Sequence, residues 1–219
     1  VPIVTMRVEI PTDSKDSIEA LARESRYQVL KELTCENTIV VTAHHQDDQI
    51  ETMLLALKRG AGVSGLSCIV EQQSFAKGLL VRPLLNVSRE AIEHYAKAEE
   101  LAWVEDESNS DQSFDRNFLR HSVVPLLKER WPGIGQTISR SATLCSQAND
   151  QINTLAEQDY ANCDSDGNSL ALEPLLQFPK ARFNGVIRFW LAQYDKQMPS
   201  VQQLSQLHEQ LTVEEDRQP

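Results

Sequence analysis

The chain has 219 residues, 41% of them hydrophobic and 24% charged, with a formal net charge of −11 at pH 7. That size and apolar content suffice for one good core and a small second one, and the negative balance argues against a stand-alone nucleic-acid binder, whose affinity rests on Lys and Arg against phosphate. No apolar run reaches the ~20 residues that span a bilayer, no signal peptide opens the chain, and Cys35, Cys68, Cys145 and Cys163 form neither a Cys-x-x-Cys pair nor a disulfide set, so reduced thiols in a cytoplasm and no membrane partner are expected.

In chain order, Val4-Thr5-Met6-Arg7-Val8-Glu9-Ile10 reads as a strand already inside a sheet. Because the chain opens at Val1 and not at methionine, a preceding segment is expected to have been cut away. Ile18 through Leu33 has the spacing of an amphipathic helix, with Asp16 and Glu19 as a capping box. Thr38-Ile39-Val40-Val41-Thr42-Ala43 is β-branched and continuously apolar, the pattern of a strand buried on both faces. Glu51 through Arg59 is rich in good helix formers and stops at Gly60, a C′ residue.

Ala76 to Val81 predicts a short strand that Arg82-Pro83-Leu84 leaves, and Ser88 caps a helix through about Glu100, with Ile92, Tyr95 and Ala96 at helical spacing. Strand, helix, strand, helix with crossovers of this length implies an α/β fold with a parallel sheet. From Arg116 onward strand patterns almost vanish. Arg116 to Arg130 reads as a helix interrupted at Pro125, and Ile134 to about Tyr160, Lys180 to Tyr194 and Ser200 to Leu211 as three more, with a turn-rich loop from Cys163 to Ser169. The boundary is expected near Pro132, giving an α/β domain over 1–130 and an all-helical domain over 131–219.

The chemistry concentrates in Thr42-Ala43-His44-His45-Gln46-Asp47-Asp48-Gln49-Ile50-Glu51-Thr52, which follows the Thr38 strand and opens the next helix. Open α/β sheets place ligands where a strand passes into a helix at its carboxyl end. If the helix already runs from His44, then at about 100° per residue His44, Asp48 and Glu51 fall on one stripe. The plainer alternative is that Asp47 caps a helix while Asp48 and Glu51 are solvated acids in its first turn.

His44-His45-x-Asp47-Asp48-x-x-Glu51-Thr52 resembles the second signature of the PP-loop ATP pyrophosphatases that modify tRNA. Four further stretches narrow the likeness: Ala22-Arg23-Glu24-Ser25-Arg26-Tyr27, Arg59-Gly60-Ala61-Gly62-Val63-Ser64-Gly65-Leu66, Arg82-Pro83-Leu84-Leu85, and Asp106-Glu107-Ser108-Asn109 followed by Arg116-Asn117-Phe118-Leu119-Arg120. In that order they resemble the tRNA(Ile)-lysidine synthetase family. The family's phosphate loop, Ser-Gly-Gly-x-Asp-Ser, is nowhere in this chain, and Ser67-Cys68 stands where relatives keep a glycine before the isoleucine, which puts the shape of that turn in question.

The resemblance implies a partial PP-loop domain followed by a small helical domain, and ATP-dependent ligation of free lysine to C2 of the wobble cytidine of an isoleucine tRNA with a CAU anticodon. It implies ATP and Mg2+ as the cofactors and is compatible with a homodimer. It makes His44, Asp48 and Glu51 the catalytic candidates, with His44 near the α-phosphate or the nucleobase oxygen and the two acids holding the lysine ammonium, or magnesium through water. Arg26, Arg116 and Arg120 are the candidates for phosphate or tRNA, with His45 and Asp47 beside them, because guanidinium forks match phosphate oxygens. The missing loop predicts that this chain by itself forms no lysidine.

Each assignment has a plainer counterpart. On a helix Arg26 can pair with Glu19 or Glu24, and His45 can be hydrogen-bonded scaffold at a strand end. His94, His121 and His208 read as structural or surface residues, and Trp103, Trp131 and Trp190 as core or interface anchors. A tRNA thiolase of the same superfamily would carry a Cys-x-x-Cys that this chain lacks, and a non-catalytic interaction fragment would show an apolar patch above ~400 Å².

Overall fold

In the computed structural model, which describes residues 3–8, 18–163, 166, 168–194 and 198–215, helix α1 (Ile18–Leu33) forms where its spacing predicts it. The Asp16–Glu19 capping box lies outside the residues whose side chains are described. Next come β1 (Ile39–Val41), α2 (Gln46–Lys58), the short α3 (Val63–Leu66), β2 (Gln72–Phe75), β3 (Gly78–Val81) and α4 (Arg89–Ala98). α2 stops as its sequence predicts: Gly60 takes φ +65°, its N–H donates to Leu57 O and that of Ala61 to Ala56 O, a Schellman ending. Ser88 caps α4 by accepting from the Ala91 N–H at 3.2 Å.

The strands form one sheet of order β1-β3-β2. β1 and β3 run parallel, with Ile39, Val40 and Val41 opposite Leu79, Leu80 and Val81, so the expected strand–crossover–strand unit is present. β2 is an antiparallel edge added to β3, which makes the sheet mixed. Its Gln72-Gln73-Ser74 carries no apolar alternation and so no strand signal; it pairs because Ala76, at φ 50°, turns the chain back. Gly78 begins β3 where a Cβ would collide with the carbonyl oxygen of Thr38, so this close approach needs a glycine.

Two strand expectations are corrected. Residues 3–8 carry no regular structure, and Glu9 and Ile10 lie outside the described residues: the sheet ends at β1, with no described strand beyond it. Nor is the Thr38 run buried on both faces, since Ile39 and Val41 are 59% and 62% exposed. As an end strand β1 has a neighbour on one side only, and the side chains on one face are uncovered among the described residues. The core of this part is built from Ile50, Met53 and Ala56 of α2, Phe75 and Leu80 of the sheet, and Leu85 and Val124.

Farther on, α5 (Asp115–Phe118), a π turn (Leu119–Val123) and α6 (Val124–Arg130) follow one another without a loop. The interruption expected at Pro125 is therefore real, but it is absorbed just upstream. Proline has no N–H to give to His121 O and its ring crowds that residue, and the wider π turn makes room. α7 (Ile134–Cys163), α8 (Leu172–Leu176), α9 (Lys180–Ala192) and α10 (Val201–Glu215) complete the chain. Among the described residues no helix is long and apolar enough to cross a membrane.

The chain divides into two compact units, Val1–Thr143 and Leu144–Pro219, the division falling within α7. The second unit has its own core of Cys163, Leu175, Phe183, Val186, Ile187 and Leu204. Asp159, 2% exposed, is held by a two-pronged Arg182 guanidinium that also lies over the Phe178 ring. His208 packs edge-on against Phe183, the structural role expected of it.

Candidate active site

The site is built at the passage from β1 into α2. His45 is the N-cap, in extended backbone (φ −129°, ψ −178°), and its Nδ1 accepts from the Asp47 N–H at 3.2 Å. Asp48 returns the bond: its Oδ2 accepts from the His45 N–H at 2.9 Å, closing a capping box. The plainer alternative is not met, because the cap is His45 and not Asp47, and the acids are buried and not solvated. Asp47, Asp48 and Glu51 are 8%, 9% and 0% exposed.

The helix begins at Gln46, so the stripe drawn from His44 holds only for Asp48 and Glu51. His44 reaches the site from the strand side, with Nδ1 at 2.8 Å from the Thr42 hydroxyl. Burial holds its imidazole below the ordinary value; the Asp48 carboxylate opposes this, and Arg82, Arg23 and Arg116 add to it.

Glu51 is the centre of an ionic cluster. Arg120 grips it bidentately, Nε to Oε1 at 2.8 Å and Nη2 to Oε2 at 3.0 Å, and Arg116 Nε stands 3.4 Å from Oε2. Arg120 also lies 3.6 Å from Asp48 Oδ1, and Arg116 donates to the Thr52 hydroxyl at 3.3 Å. Burial pushes the Glu51 carboxyl up against the pull of both arginines. Burial opposes the Arg120 charge as well, but Glu51, Asp48 and Asp47 outweigh it and hold the guanidinium above its ordinary value. Among the described residues no group of three or more His, Cys, Asp or Glu could hold a metal ion.

His44, His45, Asp47, Asp48, Glu51, Arg116 and Arg120 are thus brought together, whereas Arg26 is exposed on α1 with no contact that ties it to them. Three further cations stand beside the site, and two of them, Arg23 and Arg82, were not among the sequence candidates. Arg23 and Arg82 act on the His44 charge, and Lys128 pairs with Asp47. Arg82 is 5% exposed and donates to Val70 O at 2.7 Å, while its Nε has no partner. Its place in the quoted Arg82-Pro83 stretch was the available signal. Trp103 and Trp131, 53% and 54% exposed, are not core residues.

Two clefts open alongside. One of about 600 Å³ has His45, Arg89, Glu93, Trp103 and Asn109 on its walls. The other, of about 470 Å³, is lined by Asp47, Glu90, Arg120 and Lys128 among others. Cys68, at the turn where a glycine was expected from the resemblance, takes φ +54°, a conformation that glycine adopts freely; the adjoining Ile69 is fixed by both amide atoms of the buried Gln49.

A family model described as PP-loop domain matches residues 1–127, and one described as TilS substrate binding domain matches 170–219. The chain is similar to the tRNA(Ile)-lysidine synthase of Shigella flexneri, 43% identical over 100% of the chain and 51% of that protein. It is 41% identical to that of Edwardsiella ictaluri over 100% of the chain and 50% of the relative, and 46% identical to that of Vibrio campbellii over 91% and 44%. The chain spans about half the length of the curated relatives it matches. With the model covering more than half of the residues and the strand-to-helix site in place, the chain belongs to the PP-loop domain family.

Proposed function

We propose that this chain supplies part of the catalytic site of an ATP-dependent ligase that joins lysine to C2 of the wobble cytidine of an isoleucine tRNA with a CAU anticodon. The observation that carries the reading is the convergence, at the start of α2, of an imidazole, a carboxylate and two guanidiniums held by a buried acid, in a chain similar to tRNA(Ile)-lysidine synthases. In that reaction the cytosine C2 oxygen attacks the α-phosphorus of ATP and pyrophosphate leaves. The lysine amine then attacks C2, loses a proton, and AMP departs with the oxygen.

Each residue has a role in this scheme. Burial favours the neutral His44 ring, and with Nδ1–H donating to the Thr42 hydroxyl oxygen its Nε2 would be the atom that takes the amine proton. Asp48 spends Oδ2 on its cap and would offer Oδ1 to the incoming ammonium. Arg116 and Arg120 would meet phosphate with the N–H groups that Glu51 leaves to them. Glu51 itself serves by aiming those two arginines, since both its oxygens are already taken. His45 and Asp47 shape the first turn of α2, and Arg26, exposed on α1, is a tRNA backbone contact.

The acids do not fit magnesium. Glu51 has both oxygens on Arg120 and Asp48 has Oδ2 on the His45 N–H, so no step is assigned to that ion. The proposal sets the reaction in the cytoplasm, where ATP, free lysine and tRNA meet, with a homodimer as the assembly to check by light scattering. The test is incubation of the native gene product with ATP, lysine and a CAU-anticodon tRNA(Ile). Mass spectrometry of the digested tRNA should show cytidine converted to lysidine, with one pyrophosphate released per event; absence of both refutes the reading.

A further inference from the structure

Lys128 differs from the other cations of the site. It stands on α6 with Nζ at 2.6 Å from Asp47 Oδ2 and 2.6 Å from Glu90 Oε1, so one ammonium joins the first turns of α2 and α4. Asp47 Oδ1 accepts the Arg89 N–H at 3.3 Å, and the neighbouring Gln46 N–H donates to Val87 O at 2.9 Å. The start of α2 is therefore laced to the start of α4, and Lys128 supplies the charge for that seam. Asp47 is nearly dry, and a carboxylate so placed needs a cation. Lys128 is the one with which it forms an ion pair among the described residues.

Motion of Asp47 cannot stay local. Its N–H is held by His45 Nδ1, and the His45 N–H is held by Asp48. With the ammonium removed, Asp47 and Glu90 face each other as two like charges that had shared one nitrogen. The turn that carries Asp48 and borders His44 then keeps its backbone bonds but loses the charge that balances Asp47, and it shifts to relieve that repulsion. Burial works against the Lys128 charge, but Asp47 and Glu90 together outweigh it and hold the ammonium above its ordinary value. One of its two bonds runs inward to the buried Asp47 and its side chain is 21% exposed, unlike a lysine that reaches out to an RNA phosphate.

We propose that Lys128 is a positioning residue of the reaction, fixing through Asp47 where Asp48 and His44 stand. This rests on the function proposed above. The test uses Lys128→Met and Lys128→Arg in the native gene product, with kcat and each KM measured separately and the His44 ring followed by NMR through a pH titration. Lys128→Met should lower kcat about 30-fold, within the cost of small misplacements of reacting groups, and leave KM for tRNA within about 3-fold. Lys128→Arg, which keeps the charge, should recover kcat to within about 5-fold, and the His44 titration should move in the Met variant alone.

Unchanged kcat with an unmoved His44 titration overturns the proposal. So does a rise of about 10-fold in KM for tRNA at constant kcat with a salt slope lower by about one, the mark of a lost phosphate contact. Where Lys128→Met fails to fold, Asp47→Asn removes the charge that Lys128 grips while keeping its shape; it should show the same loss of kcat, and normal kcat there overturns the proposal. Wild-type protein that forms no lysidine refutes the function, while the His44 titration still decides the role of Lys128.

Discussion

Replacing Glu51 should cost the fold far more than its position in the first turns of a helix suggests. An exposed acid near a helix N-terminus contributes about 0.3–1 kcal/mol through the dipole. Glu51 instead is fully buried, with two hydrogen bonds to Arg120 and Arg116 at 3.4 Å. Breaking one side of a buried ion pair costs about 3–5 kcal/mol, mostly the penalty of leaving the other charge orphaned. The Arg120 and Arg116 side chains are 20% and 27% exposed and regain some water, so the lower end applies, about 3 kcal/mol for Glu51→Gln. At about 2–4 °C per kcal/mol for a chain of this size, Tm should fall by about 6–12 °C. Adding Arg120→Met removes the main orphan, and urea unfolding at pH 7 should show a coupling of about 2 kcal/mol in the double-mutant cycle. A single-variant cost below ~1 kcal/mol with additive effects would refute the cluster as a buried unit.

Asp48→Ala in the native gene product should lower lysidine formation about 100-fold, the scale for one preorganised electrostatic group, yet cost only about 1 kcal/mol of stability through the lost cap bond; denaturation and turnover measured on one preparation separate the two. His44→Asn should flatten the acid side of the stability profile. The folded His44 pKa is depressed, so the unfolded chain binds more protons below about pH 6.5, and the wild type loses stability as pH falls through that window toward the folded value; an unchanged slope in the variant, read by urea midpoints, refutes this. Gly78→Ala should cost about 1–3 kcal/mol, because the new methyl meets the Thr38 carbonyl, a backbone atom that cannot swing away; a neutral result would mean that the two chain segments part easily.

The features legible in the sequence were those with local causes. The helix formers before Gly60, the Ser88 cap and the periodicity of Ile18–Leu33 each act within a few residues, and each element stands where they put it. The burial of Asp47 and Glu51 was not legible, because the partners that make it tolerable lie 81 and 69 residues downstream. Without them, acids in a first turn read as solvated. β2 was hidden for another reason: an edge pairs through its backbone, which any sequence carries, so Gln72-Gln73-Ser74 shows no pattern. The Thr38 run misled in the opposite sense, since an apolar composition records what a strand could bury and not what covers Ile39 and Val41 here.

The π turn before Pro125 sets the rotational phase between the arginine pair and Lys128. Arg116 and Arg120 address Glu51 at or ahead of the turn, and Lys128 addresses Asp47 after it. Deleting one residue from Val124–Leu127, the ordinary helix between the turn and Lys128, would swing Lys128 by about 100°. The arginines would stay at their acid while the lysine left its own. Side chains in this stretch can therefore be exchanged more freely than its length can be altered: a single-residue indel there would unlatch one side of the site and leave the other fastened.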